Sequence, residues 1–115
     1  MNYLEYVEKP WGYEKIIEKN KNYVVKELFM KKGFQCSLQY HKEKTETIYL
    51  LKGTMKLTIG DKNELVEKIF KEPGFNLTIK PFKIHRMTAI TDILYLEAST
   101  PELCDVVRLE DDYGR

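Results

Sequence analysis

Long apolar runs are missing from this chain of 115 residues. Nothing approaches the roughly 18 consecutive apolar residues that cross a bilayer. The start, MNYLEYVEKPWGYEK, has neither the basic head nor the apolar centre of a secretion signal. The expected location is therefore the cytoplasm. An excess of one charge is missing too. Nineteen Lys and Arg stand against 18 Asp and Glu, scattered along the chain. No single-signed field is available to hold a nucleic-acid backbone, and nucleic acid is not expected as a partner. Cysteine is scarce: Cys36 and Cys104 could form one bridge on arithmetic. Two thiols without a secretion signal are expected to stay reduced, as small core or interface residues. Repeats, low-complexity tracts and linkers are absent as well. The length suits one domain, residues 1–115, which buries about two thirds of its unfolded surface.

What the chain does have is short β-branched and aromatic runs broken by Gly, Pro, Asn and Lys-rich turns. YVVKELFM (23–30), CSLQYH, ETIYLLKG and DILYLEAS (92–99) read as strands. TMKLTIG alternates Met55, Leu57 and Ile59 against Thr54, Lys56 and Thr58, the signature of a half-buried strand. Gly60, Asp61 and Asn63 turn it into ELVEKIF, and KEPG turns the chain again into FNLTIK, which implies two hairpins in succession. After Ser99 the pattern is mixed, and Thr100 with Pro101 could open a short helix. Eight or more short strands must close on themselves or stack as two sheets to avoid exposed edges. An all-β jelly roll or small barrel with room for one small ligand is the expected architecture.

Histidine is as scarce as cysteine, with only His41 and His85. In QYHKEKTETIYLLKG, Gln39 and His41 are two apart on a strand and so share a face, and Glu46 follows. Amide oxygen, imidazole and carboxylate all ligate divalent first-row metals. His85, in PFKIHRM after a proline-marked turn, would complete a set of Gln39, His41, Glu46 and His85 if a later strand carries it beside the first. An isolated strand histidine is more often a solvated or hydrogen-bonded side chain, so residue types alone leave both readings open.

The spacing Gly33, Gln39, His41, Glu46, Gly53 resembles the first motif of the cupins, with Gln39 where that motif usually has His. PGFNLTIKPFKIH, Pro73 to His85, resembles the second more loosely. Lys80 and Phe82 stand where a proline and a glycine are expected, and Ala89 where an asparagine is. KPWGYE, VVKEL, SLQYH, HR and DVVRLEDDYGR together are similar to the mannose-6-phosphate isomerase cupin domain that ends the type II bifunctional isomerase and GDP-mannose pyrophosphorylase enzymes. Nothing in the chain resembles the nucleotidyltransferase half of those enzymes. Lys42, Glu43, Lys44 and Thr47 replace extra histidines and an arginine of that branch, at positions expected to flank the site entrance.

The resemblance implies a cupin jelly-roll β-barrel, a homodimer, and a stand-alone metal-dependent sugar-phosphate isomerase of the mannose 6-phosphate class. Gln39, His41, Glu46 and His85 resemble the zinc ligands of the type I isomerases. Zinc is therefore the favoured cofactor, with manganese or iron as alternatives, and Glu43 is assigned to the rim. Such a metal would polarise a sugar carbonyl while a base moves a proton between C1 and C2. Glu97 is the first candidate base, with Lys26 and Tyr40 behind it. Arg86, Arg108 and Lys44 are candidates for the phosphate, each equally placed to be a surface charge or a salt-bridge partner of Glu110, Asp111 or Asp112. Trp11 and Tyr13 are assigned to packing or dimer contacts ahead of sugar stacking. The alternatives are a sugar or nucleotide-sugar binding cupin without turnover, a metal-free epimerase using His41, and an iron oxygenase.

Overall fold

The computed structural model describes residues 4–71, 74–102 and 105–114. Among them the chain is all-β, with eleven strands: β1 (Glu5–Lys9), β2 (Gly12–Lys19), β3 (Val24–Met30), β4 (Leu38–His41), β5 (Glu46–Lys52), β6 (Thr54–Asp61), β7 (Glu64–Lys71), β8 (Asn76–Ile79), β9 (Ile84–Ala89), β10 (Ile93–Ser99) and β11 (Val106–Glu110). They form two antiparallel sheets, one of six strands ordered β1-β2-β3-β10-β5-β8 and one of five ordered β11-β4-β9-β6-β7. The two-sheet form of the jelly roll is thus the one realised, with the inward side chains of both sheets meeting between them.

The strands form where β-branched and aromatic residues alternate with polar ones. In β6, Met55 and Leu57 are buried while their neighbours are partly exposed. Met30, Ile48, Leu50, Ile79, Ile93 and Tyr95 join them in one apolar cluster. Trp11 packs into this cluster, whereas Tyr13 lies on the outer face of its sheet, stacked on Tyr6 and Phe29 at centroid distances of 5.3 and 5.4 Å. Gly53, between β5 and β6, has φ +93°, and a Cβ there would lie 2.2 Å from the Asp92 carbonyl oxygen. Only glycine fits that turn.

Two expectations need correction. β6 and β7 do form a hairpin, paired from Thr54↔Lys71 to Asp61↔Glu64. β8, however, does not pair with β7; it crosses to the other sheet and pairs with β5. A jelly roll alternates between sheets, and the turn chemistry of KEPG does not reveal which partner the next strand will find. The segment after Ser99 carries no helix among the described residues, and its end is β11, paired with β4. Cys104 lies outside the described residues; Cys36 is a free, buried thiol whose pKa burial pushes up to about 11.

Candidate metal centre and its cavity

β4 and β9 lie side by side with Gln39 opposite His85, and β5 places Glu46 at its first residue on the facing sheet. His41, Glu46 and His85 therefore come from three strands of two sheets. One ligand atom from each lies within 4.8 Å of the others. All three are buried, His85 completely.

The hydrogen bonds decide the tautomers. His41 Nδ1 is 2.8 Å from the Asp105 carbonyl oxygen, and His85 Nδ1 is 2.9 Å from that of Lys83. A carbonyl only accepts, so each ring carries a proton on Nδ1 and turns Nε2 inward, where the neutral ring presents a lone pair. His85 Nε2 then lies 3.1 Å, and His41 Nε2 3.7 Å, from Glu46 Oε1. None of these three buried atoms has a hydrogen-bond partner. Acceptors converging in this way repel unless a cation stands among them, either a proton on an imidazole Nε2 or a metal ion. Two imidazoles and a carboxylate, each held by its outer atoms, are a donor set that fits a divalent ion. Gln39 lines the same cavity, and its Oε1 accepts from the Ser37 hydroxyl at 2.6 Å.

The loop between β4 and β5 is pinned by a residue the sequence reading did not single out. The Asp105 carboxylate accepts the backbone N–H of Lys42, Glu43 and Lys44 at 3.1, 2.6 and 2.9 Å. These bonds, Glu43's first, hold its pKa below the usual aspartate value. One residue thus orients His41 through its carbonyl and fixes the loop through its side chain. Asp105 opens the DVVRLEDDYGR stretch, but no local pattern gives it this role; the pairing of β11 with β4 brings it there.

The centre opens into a cavity of about 270 Å³. Its lining includes His41, Glu46, Gln39, Glu97, Lys26, Lys44, Glu14 and Arg108. Glu97 is buried on β10, and its Oε2 is a fourth polar atom without a hydrogen-bond partner. Burial, with Glu46 nearby, raises its pKa against the opposing pull of Lys44 and Lys26. For Glu46 burial also acts upward, but His41, His85 and Lys44 outweigh it and hold the carboxyl well below the usual range. Lys26, on β3, faces inward and lies 3.2 Å from Glu14 Oε1 and 4.0 Å from Glu97 Oε2.

Lys44, expected at the entrance, is instead 5% exposed, with its ammonium 3.2 Å from Glu46 and 3.5 Å from Glu97. Burial pulls its pKa down, and the two carboxylates more than reverse that. Glu43 is exposed and does not line the cavity, and Arg108 is exposed on β11 at the cavity's border.

Two other candidates point elsewhere. Tyr40, between Gln39 and His41, alternates to the opposite face of β4, where its ring stacks on Phe82 at 5.9 Å. Arg86 follows His85 and alternates likewise. Its Nε donates to the Cys36 carbonyl at 2.8 Å, and its Nη2 donates to that of Glu110 at 3.1 Å and lies 3.7 Å from Asp112. It staples the C-terminal segment rather than lining the cavity, and period-two alternation is the reason in both cases.

A family model described as mannose-6-phosphate isomerase C-terminal matches residues 1–111. The chain belongs to that family. Mannose-1-phosphate guanylyltransferase ManC of Salmonella typhimurium is 32% identical over 114 residues, covering 95% of this chain and 23% of the relative. Mannose-1-phosphate guanylyltransferase 2 of Escherichia coli O157:H7 is 40% identical over 58 residues, 50% of this chain and 12% of that protein. This member of the family thus spans less than a quarter of the length of these relatives. Among solved structures, capsular polysaccharide assembling protein CapF from Staphylococcus aureus superposes with a TM-score of 0.81 at 18% identity, over 96% of this chain and 32% of that one. An RmlC-like cupin from Shewanella frigidimarina NCIMB 400 gives 0.73 at 14% identity, over 87% and 86%. These likenesses show the cupin fold.

Proposed function

We propose that this chain is a metal-dependent sugar-phosphate isomerase of the mannose 6-phosphate class, interconverting aldose and ketose. One observation carries the reading. His41 Nε2, His85 Nε2 and Glu46 Oε1 converge without hydrogen-bond partners, and a cavity lined by His41 and Glu46 also holds Glu97 Oε2, ion-paired but without a hydrogen bond. The family and the mannose-1-phosphate named in its relatives support the sugar. A cavity of about 270 Å³ suits a monosaccharide better than a nucleotide sugar, since it lies just under the roughly 300–1,000 Å³ of small-molecule sites.

A divalent ion, zinc favoured with manganese or iron as alternatives, would be held by His41, Glu46 and His85 with Gln39 as fourth ligand. Bound there, it supplies a Lewis acid that polarises the sugar carbonyl. Glu97 is assigned the proton transfer, taking the proton from C2 at Oε2 and returning it at C1. Lys26 and Lys44, 4.0 and 3.5 Å from that oxygen, hold it in place from two strands. Lys26 is the second candidate for the transfer. Arg108 at the border is assigned the phosphate. Tyr40 and Arg86 have no part, because they face away.

A second reading, sugar binding without turnover, is favoured by the two ammonium groups that tie down Glu97. Homodimerisation remains part of the proposal, supported by the edge strand β7, which exposes Leu65, Val66 and Ile69.

The test is exchange. Zinc-loaded protein incubated with mannose 6-phosphate in deuterated water is expected to place deuterium at C2, read by NMR. Calorimetric binding without label would select the second reading, and neither binding nor label would remove sugar phosphates from consideration. Turnover that persists after the metal is stripped would point to the epimerase instead.

A further inference from the structure

The loop that carries Lys44 buries a charge that was expected at the site entrance. Its backbone N–H is fixed on Asp105, so the side chain enters the cavity from a pinned root. Glu46 divides its two oxygens as a result. Oε2 faces the Lys44 ammonium at 3.2 Å, while Oε1 faces the imidazoles at 3.1 and 3.7 Å. Beyond it the alternation continues, through Lys44 to Glu97 at 3.5 Å, Lys26 at 4.0 Å and Glu14 at 3.2 Å. Carboxylates and ammonium groups thus alternate along the cavity wall, starting from the proposed metal ligand.

We propose that Lys44 is the resident cation of this pocket. It supplies the counter-charge to Glu46 in the absence of any metal and shares Glu97 with Lys26, so the fold does not depend on an ion. It also sets the affinity of the His41, Glu46, His85 centre by standing as a fixed positive charge beside it. The second half rests on the reading of that triad as a metal centre.

Two physical effects separate this role from a plain salt bridge. A buried carboxylate that loses its counter-charge is strongly destabilising. A fixed ammonium a few ångströms from a divalent ion repels it through a medium of low dielectric constant. Removing the charge should therefore weaken the metal-free protein and tighten metal binding at once. A purely structural ion pair gives the first effect without the second. A lysine whose role is to aim Glu46 at the metal gives the second with opposite sign.

The experiment compares wild type with Lys44→Met, Lys44→Gln and Lys44→Arg, and with Lys42→Met as an exposed control. Zinc is titrated against a chromophoric chelator, and thermal melting is followed in stripped and zinc-saturated protein. Lys44→Met and Lys44→Gln are expected to bind zinc about tenfold tighter or better, with Lys44→Arg at the wild-type value. Stripped, the two neutral variants should melt about 10 °C or more below the Lys42→Met control, and saturating zinc should restore most of that loss. Unchanged or weaker zinc binding in both neutral variants overturns the affinity role. Melting equal to the control overturns the counter-charge role. If neither wild type nor variants bind zinc, the metal centre itself is misread and the affinity role falls with it, while melting still decides the counter-charge role.

Discussion

Followed from one end of the sandwich to the other, the inward residues of three strands change character together. On β3 they run Lys26, Leu28, Met30; on β10, Glu97, Tyr95, Ile93; on β5, Glu46, Ile48, Leu50. Cross-strand pairing keeps the levels aligned, with Glu97 opposite Lys26, Tyr95 opposite Leu28 and Ile93 opposite Met30. One end is a close-packed apolar core, the other a buried set of charges around a cavity. Both ends are buried, so burial alone does not separate chemistry from packing. The difference is that the apolar end is satisfied by contact alone, whereas the polar end leaves four atoms without a hydrogen-bond partner among the described residues. The packed end makes it possible to hold unsatisfied groups a few residues away on the same strands.

The largest effect should come from the polar end. His85→Ala is expected to remove bound zinc altogether, with less than one tenth of an equivalent by elemental analysis and deuterium exchange lost with it; stoichiometric zinc in that variant would show that the second motif is misread. At the packed end, Leu57→Ala, which truncates a side chain only 1% exposed, should cost about 2–5 kcal/mol of stability in denaturant melts. Zinc stoichiometry should stay at wild type; a parallel loss would mean that the two ends are not separable. Asp105→Ala removes the carboxylate that pins the loop from Lys42 to Lys44 but keeps the backbone carbonyl that holds His41. The loosened loop should weaken zinc binding by about tenfold in the same chelator competition, at the low end of what supporting contacts of metal ligands carry. An affinity equal to wild type would leave the Asp105 side chain without a role at the centre.

The smallest expected effect lies on the outside. Phe82 has φ +67° and is 62% exposed, in a conformation that costs a side chain roughly 1–2 kcal/mol. Phe82→Gly removes that cost and also the stack on Tyr40. The net change should lie within about 1 kcal/mol, against roughly 0.5–1.5 kcal/mol for an aromatic pair, and a larger loss would make the stack a structural anchor.

Much of this was legible beforehand. β6 announced itself by alternation, and Phe82 stands where a glycine was expected, in the backbone conformation that glycine favours. Other elements were hidden for definite reasons. β2 carries Ile16 and Ile17 in succession because the register shifts between Ile16 and Glu18, which breaks the period of two. β11 is broken likewise between Arg108 and Glu110. β1, an edge strand, is largely exposed, so no buried face imprints a pattern.

From its residues alone the chain determined that it would be all-β, that its two histidines would sit at recognisable spacings from Gln39 and Glu46, and that Gln39 and His41 would share a face. Backbone periodicity and turn chemistry are local, and a sequence carries them openly. Which face each remaining candidate took, and that Lys44 would lie between two buried carboxylates, was decided only when strands distant in the chain met. A lysine's burial depends on the charges that surround it; Glu46 stands two residues on, at the start of β5, but Glu97 is delivered by β10 from far along the chain.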